Sequence, residues 1–108
     1  MNPVSLAEFK KIELKIARIL DVAEIPGADK LWKLTIDVGS EKKEIDAGIK
    51  TGYPKESLAG RCIIVVNNLE PAVIRGVESR GMLLAAKDGG ELSLLGPDKP
   101  LAPGSAVG

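Results

Sequence analysis

The sequence predicts an all-β chain, one domain over residues 1–108, closed into a small barrel. Three observations predict it. Apolar and polar residues alternate with period two in several short segments. The first such segment is too long and too irregular in phase to be one straight strand. A short helical stretch falls between the third and fourth segments.

Ser5-Leu6-Ala7-Glu8 has the Ser-x-x-Glu form of a capping box and predicts a short N-terminal helix through about Lys11. Ile12, Leu14 and Ile16 then alternate with Glu13, Lys15 and Ala17. Leu20 and Val22 keep that phase, whereas Arg18 falls on the apolar side and Ile19 on the polar one. A bulge or bend near Ala17–Ile19 reconciles them within one strand over about residues 12–24. Ile25-Pro26-Gly27-Ala28-Asp29 is turn chemistry. Trp32, Leu34, Ile36 and Val38 form the inward side of a second strand, and Gly39–Lys42 turns into a third, Lys43–Ala47, with Ile45 inward. Pro54–Gly60 reads as a one- or two-turn helix, with Pro in its first turn and Gly ending it. Arg61–Val66 is a nearly continuous apolar run, expected of a strand with little exposed face. Asn68–Arg80 reads as a loop or irregular hairpin, and Gly81–Ala86 and Glu91–Leu95 as two short strands around Asp88-Gly89-Gly90. The tail from Gly96 shows no periodicity. Strand number, the bent first strand and the placement of the small helix between strands 3 and 4 favour an OB-fold, a five-stranded Greek-key barrel, over an open sandwich.

Composition removes several functions. The chain has 15 basic and 15 acidic residues and no histidine, so it has no imidazole general base. One cysteine and no histidine cannot supply the common zinc sites, and Cys62 cannot form an internal disulfide. Catalytic, cofactor and metal residues are therefore expected to be none. The lone cysteine fits a reducing compartment, and we expect a cytoplasmic protein. No apolar run reaches the roughly 20 residues of a membrane span, and residues 1–11 lack the order of a signal peptide. Asp29, Asp37, Asp46 and Asp88 show no pairing pattern, and Cys62 reads as an inert thiol in an apolar strand. The zero net charge gives no global attraction to nucleic acid, but it is a sum of unlike parts. Arg61–Lys87 has four basic and two acidic residues, whereas Asp88–Gly108 has one and three.

Two segments carry the functional signal. Pro26–Lys33 puts Lys30 and Lys33 beside Trp32. Lysine contacts phosphate as a mobile point charge, and an exposed indole stacks on a base. Trp32 is equally in phase with Leu34 for a place in the core. Asn68–Ala86 combines a Pro bend, Arg75-Gly76 and Ser79-x-Gly81-Met82 entering a strand. Arg75 and Arg80 can fork onto phosphate, Ser79 can bond ribose or base edges, and Met82 can lie against a base. Alternatively, Met82 is core, Ser79 caps a turn, and the arginines pair with Glu70 and Glu78.

These residues resemble the tRNA-binding domain of the EMAP-II type. The resemblance rests on Asn68-Leu69-x-Pro71, Arg75-Gly76-Val77-x-Ser79-x-Gly81-Met82 and Ala28-Asp29-Lys30-Leu31, in family order over about residues 5–108. Phe9-Lys10-Lys11, Leu58-x-Gly60, Pro97-Asp98 and Pro103-Gly104 add to it. Such domains occur at the C-terminus of many bacterial methionyl-tRNA synthetases, in archaeal beta-subunit-like proteins and as free-standing dimeric proteins. The resemblance implies a C-terminal extension to the barrel and a non-catalytic homodimer that binds the tRNA elbow by shape. Methionyl-tRNA synthetase is an implied partner. Lys30, Asn68, Arg75, Ser79 and Met82 match family tRNA contacts. Lys33 and Arg80 add basic groups beside them. Asp46-Ala47-Gly48 departs from a frequent Val-Ser-Gly, removing a hydroxyl and adding a charge. A chaperone-like peptide binder from a related export branch is the alternative, with a generic single-strand binder behind it. Only three aromatics are present, few for a base-stacking groove.

Overall fold

A computed structural model describes residues 1–108. Its elements are α1 (Leu6–Phe9), β1 (Leu14–Glu24), β2 (Trp32–Asp37), β3 (Lys42–Ala47), β4 (Cys62–Val66), β5 (Ala72–Ile74), β6 (Val77–Ser79), β7 (Met82–Leu83), β8 (Ala85–Asp88), β9 (Glu91–Leu94) and β10 (Ala106–Val107). One 3-10 turn, Lys55–Ser57, lies between β3 and β4.

The main sheet is antiparallel and runs β3-β2-β1-β4-β7, with β10 added beside β1. Its curl comes from β1. The first half of that strand pairs with β4, from Leu14 opposite Val66 to Arg18 opposite Cys62. The second half pairs with β2, from Arg18 opposite Asp37 to Glu24 opposite Trp32. A register shift between Ile19 and Asp21 bends the strand from one partner to the other. The result is a curled five-stranded half-barrel of OB type, as the sequence predicts. Its edge strand β3 meets the end of β6 and the residue that follows it. There the Arg80 amide donates to the Glu44 carbonyl and the Asp46 amide to Ser79 Oγ, both at 2.9 Å.

The core is aliphatic. Ile19, Leu34, Ile36, Val38, Ile45, Leu58, Ile63 and Val65 are its largest fully buried side chains. Period two holds cleanly in β2, where Trp32, Leu34 and Ile36 are buried and Lys33, Thr35 and Asp37 are not. Trp32 is a core residue and no stacking platform: it is 7% exposed, and Nε1 donates to the Tyr53 carbonyl at 2.8 Å.

Several elements differ from expectation for local reasons. The irregularity in β1 sits at Leu20, one step later than expected, so Ala17 and Ile19 are buried while Arg18 and Leu20 are exposed. Ile12 precedes the strand and is exposed. The capping box forms as expected, with both Ser5 and Glu8 engaged, but the helix ends at Phe9. β4 alternates, with Ile63 and Val65 buried and Cys62, Ile64 and Val66 half-buried, because only one of its faces meets the barrel interior. The stretch after Asn68 is a β5–β6 hairpin, and β8–β9 is a second one.

The tail is ordered by backbone contacts that leave no periodicity in side chains. The Ile16 amide donates to the Ser105 carbonyl at 2.9 Å and the Gly104 amide to the Ile16 carbonyl at 2.7 Å. Leu14 then lies opposite Val107. The C-terminal extension thus adds a short strand to β1.

Candidate nucleic-acid interface

The turn between β1 and β2 builds one half of the site. Pro26 fixes its own φ, and Gly27 takes φ +78°, the arrangement of a type II turn. The Ala28 amide closes the turn on the Ile25 carbonyl at 3.0 Å. Ile25 and Ala28 are buried and anchor it, leaving Gly27, Asp29 and Lys30 exposed. The Lys50 amide donates to the Lys30 carbonyl at 3.3 Å and holds the backbone there.

The β5–β6 hairpin builds the other half. Ile74 lies opposite Val77, so Arg75-Gly76 is a two-residue turn. Their φ values are +52° and +79°, as a type I′ turn requires. Arg75 is the one non-glycine residue of the chain with positive φ. Asparagine suits that position better, and a bulky residue held there costs about 1 kcal/mol or more. The strained turn sends the guanidinium back toward β1–β2: a Cβ on Gly27 would lie 3.4 Å from Arg75 Nη1. Gly27, Ala28, Asp29, Lys30, Leu31 and Arg75 line one open cleft of about 270 Å³. The two segments that stood out in the sequence therefore meet, with Lys30 and Arg75 in the same place. Neither takes part in the four ion pairs of the chain.

The other expected residues fall differently. Lys33 pairs with Glu44 at 3.2 Å and Arg80 with Glu41 at 3.2 Å, so β3 and the turn before it neutralise both. Arg80 does not pair with Glu78 or Glu70, because strand pairing brings β3 beside it. Such half-exposed pairs are worth about 0–1 kcal/mol, so phosphate can displace them. Replacing Glu41 and Glu44 together by Gln should tighten RNA binding about 2- to 5-fold at low salt, with the gain shrinking as salt rises. Filter binding across a salt series checks this.

Ser79 departs from the expected direct contact. It is 6% exposed; its hydroxyl accepts from the Asp46 amide and donates to the Gly81 carbonyl at 3.1 Å. It fixes β6 against β3 and so positions the hairpin. Asn68 is a clamp: Nδ2 donates to the Lys11 carbonyl at 2.7 Å, and Oδ1 accepts from the Glu13 amide at 2.8 Å. Met82 is half in solvent, 46% exposed, and available for apolar contact.

Sequence reading missed three groups. Lys50 lies 4.8 Å over the Trp32 ring and 3.5 Å from Glu24, a contact between distant segments that no local pattern announces. Lys43 is buried in phase with Ile45, with Nζ donating to the Asn67 carbonyl at 2.9 Å; burial lowers its pKa. Its inward register was the available signal. Asp46 is covered at the β3–β6 junction, and neither carboxylate oxygen has a hydrogen-bond partner. Burial raises its pKa, and the Glu44 charge adds to this against an opposing Lys33.

Asp46 gives a pH-dependent prediction. A carboxyl whose pKa is raised by folding favours the fold when protonated. That contribution is complete below the unfolded value near pH 4 and is lost as pH rises through the folded value. Asp46→Val, which removes the buried charge from a strand position, should stabilise the chain by about 1–2 kcal/mol at pH 7. The gain should dwindle toward pH 4. Urea titrations of both proteins between these limits measure it.

Comparisons with known proteins identify the family of the chain. A family model described as "Putative tRNA binding domain" matches residues 14–106. A methionine–tRNA ligase from Methanococcus aeolicus is 49% identical over 107 residues, which are 99% of this chain and 16% of that protein. The chain thus spans about a sixth of the length of the curated relatives it matches. A MetRS-related protein from Pyrococcus horikoshii superimposes with TM-score 0.92 at 34% identity, covering 99% of both chains. The CsaA chaperone protein from Picrophilus torridus gives TM-score 0.90 at 30% identity, covering 98% of this chain and all of that one. From the matched span and these identities, the chain belongs to the tRNA-binding domain family shared by methionyl-tRNA synthetases and CsaA.

Proposed function

We propose that the chain is a non-catalytic tRNA-binding module that recognises the tRNA elbow by shape as a homodimer. It acts in the cytoplasm, free-standing or as an auxiliary to methionyl-tRNA synthetase. The observation that carries this reading is the convergence of Lys30 and Arg75, both unpaired, on one cleft between the β1–β2 turn and the β5–β6 hairpin. Family membership supplies tRNA as the RNA. Few phosphates can be reached from one small domain, and folded RNA hides its base edges, so backbone and shape must carry recognition. Two copies on one tRNA would raise affinity through effective concentration. Val4, Leu6, Phe9, Ile12 and Leu101 are exposed apolar side chains, which supports self-association.

Gel shifts with mixed tRNA at low salt test the binding. A complex with the unmodified chain, weakened by Arg75→Ala, supports the reading; undetectable binding by both proteins ends it. Light scattering after size exclusion, with and without tRNA, reports the stoichiometry.

A chaperone-like, peptide-binding function is the second reading. It is favoured by the likeness to CsaA and by exposed Leu69, Val73, Ile74 and Met82 on and beside the hairpin. Suppressed aggregation of an unfolded client, unaffected by added tRNA, would decide for it.

A further inference from the structure

Asp29 is a third charge in the cleft, and phosphate binding alone gives it no task. It is exposed, lines the cleft with Lys30 and Arg75, and joins none of the four ion pairs. An ionised carboxylate only accepts hydrogen bonds, and beside a bare phosphate it repels. Two cations with a free carboxylate suit a ligand that presents an anion and a hydrogen-bond donor together. A ribonucleotide unit does so, with phosphate oxygens on one side and a 2′-hydroxyl or base amino group on the other. Ala28 and Leu31 add an apolar wall for the ribose or base. The volume, about 270 Å³, sits near the low end of small-molecule sites and suits one nucleotide better than a duplex edge. Both turns that frame the cleft hold positive φ, at Gly27 and at Arg75-Gly76, so its walls are set by the backbone.

We propose that this cleft takes one unstacked ribonucleotide of the bound RNA. Lys30 and Arg75 hold its phosphate, and Asp29 accepts a hydrogen bond from the 2′-hydroxyl or a base amino group. Asp29 is then a specificity residue. This rests on the RNA-binding reading above and adds a defined subsite to it.

Removing the charge of Asp29 separates the possibilities by sign. At a plain phosphate site, Asp29→Asn deletes a repulsive charge and tightens binding. At a nucleotide site, it exchanges a charge-assisted acceptor for a neutral amide oxygen and weakens binding, and Asp29→Ala removes the acceptor altogether. The full chain, labelled with nitrogen-15, is titrated with the four ribonucleoside 5′-monophosphates, their 2′-deoxy counterparts and inorganic phosphate. Saturable amide shifts are expected at Gly27–Leu31 and Arg75-Gly76 with at least one ribonucleotide. Asp29→Asn, and Asp29→Ala as a second variant, should weaken that nucleotide about 5-fold or more and leave inorganic phosphate unchanged or tighter. A matching loss in the deoxy form assigns the 2′-hydroxyl; discrimination among the four bases assigns the amino group. The same variants should weaken tRNA about 5-fold or more in filter binding. Tighter or unchanged nucleotide and tRNA binding by the variants overturns the subsite alone. No tRNA binding by the unmodified chain overturns the RNA reading and the subsite with it.

Discussion

Gly104→Ala should lower the stability of the chain by about 2–4 kcal/mol. Gly104 holds φ +91°, and a Cβ there would lie 2.8 Å from the Val38 carbonyl oxygen and 3.0 Å from Gly39 Cα. Gly39 is its counterpart, at φ +92°, with a Cβ position 2.7 Å from the Pro103 carbonyl oxygen. The two glycines let the tail cross the β2–β3 turn backbone against backbone. A side chain would meet main-chain atoms, which cannot rotate away. The crossing delivers β10 to β1, so its loss frees the extension. Gly60→Ala is the comparison: φ is +86°, but nothing lies within 4 Å of its Cβ position. That variant should lose only the conformational part, about 1 kcal/mol. Thermal and urea denaturation of both variants measure the difference. For a chain of this size the Gly104 variant should melt lower by more than about 8 °C. Equal costs at the two positions would mean that the tail does not pack as described.

Arg75→Asn should separate stability from binding. The substitution puts a residue suited to positive φ at the first position of a type I′ turn. Stability should hold or rise by about 0.5–1 kcal/mol. Affinity for tRNA should nevertheless fall about 10-fold, since the variant loses a guanidinium that can bond phosphate in a fork. A melting curve and a tRNA titration on the same preparation check both halves. A variant that is more stable and binds as before would leave the strain at Arg75 without a function. A variant that loses stability would make Arg75 a structural residue.

Much of the fold was legible in local pattern. Ser5 with Glu8 marked the helix start, and Trp32 to Ile36 marked the cleanest alternating strand. Pro26-Gly27 marked the first of the two turns that frame the cleft, whereas the second, Arg75-Gly76, lay within a stretch that read only as a loop or irregular hairpin. The illegible parts depend on what lies opposite. Trp32 had two readings until the Tyr53 carbonyl supplied its partner. Lys33 looks like a free cation along the chain and Arg80 has Glu70 and Glu78 as nearby candidates, but their acidic partners lie on and beside β3. Ser79 and Asn68 have the right chemistry for RNA, and the structure spends their polar atoms on its own backbone. The tail carries its signal in glycine backbone contacts, which hydrophobic periodicity does not record. Lys30 and Arg75 stayed free, and their meeting across the cleft is a tertiary fact.

The most direct test of the site is the salt dependence of tRNA binding by the unmodified chain, Lys30→Ala, Arg75→Ala and the double variant. A few phosphate contacts per subunit predict a slope on the order of 2–4 log units per log salt for the unmodified chain. Each cation removed should lower that slope by about one contact for every subunit on the tRNA, additively in the double variant. Slopes that stay unchanged in all three variants would contradict a phosphate-binding cleft at Lys30 and Arg75.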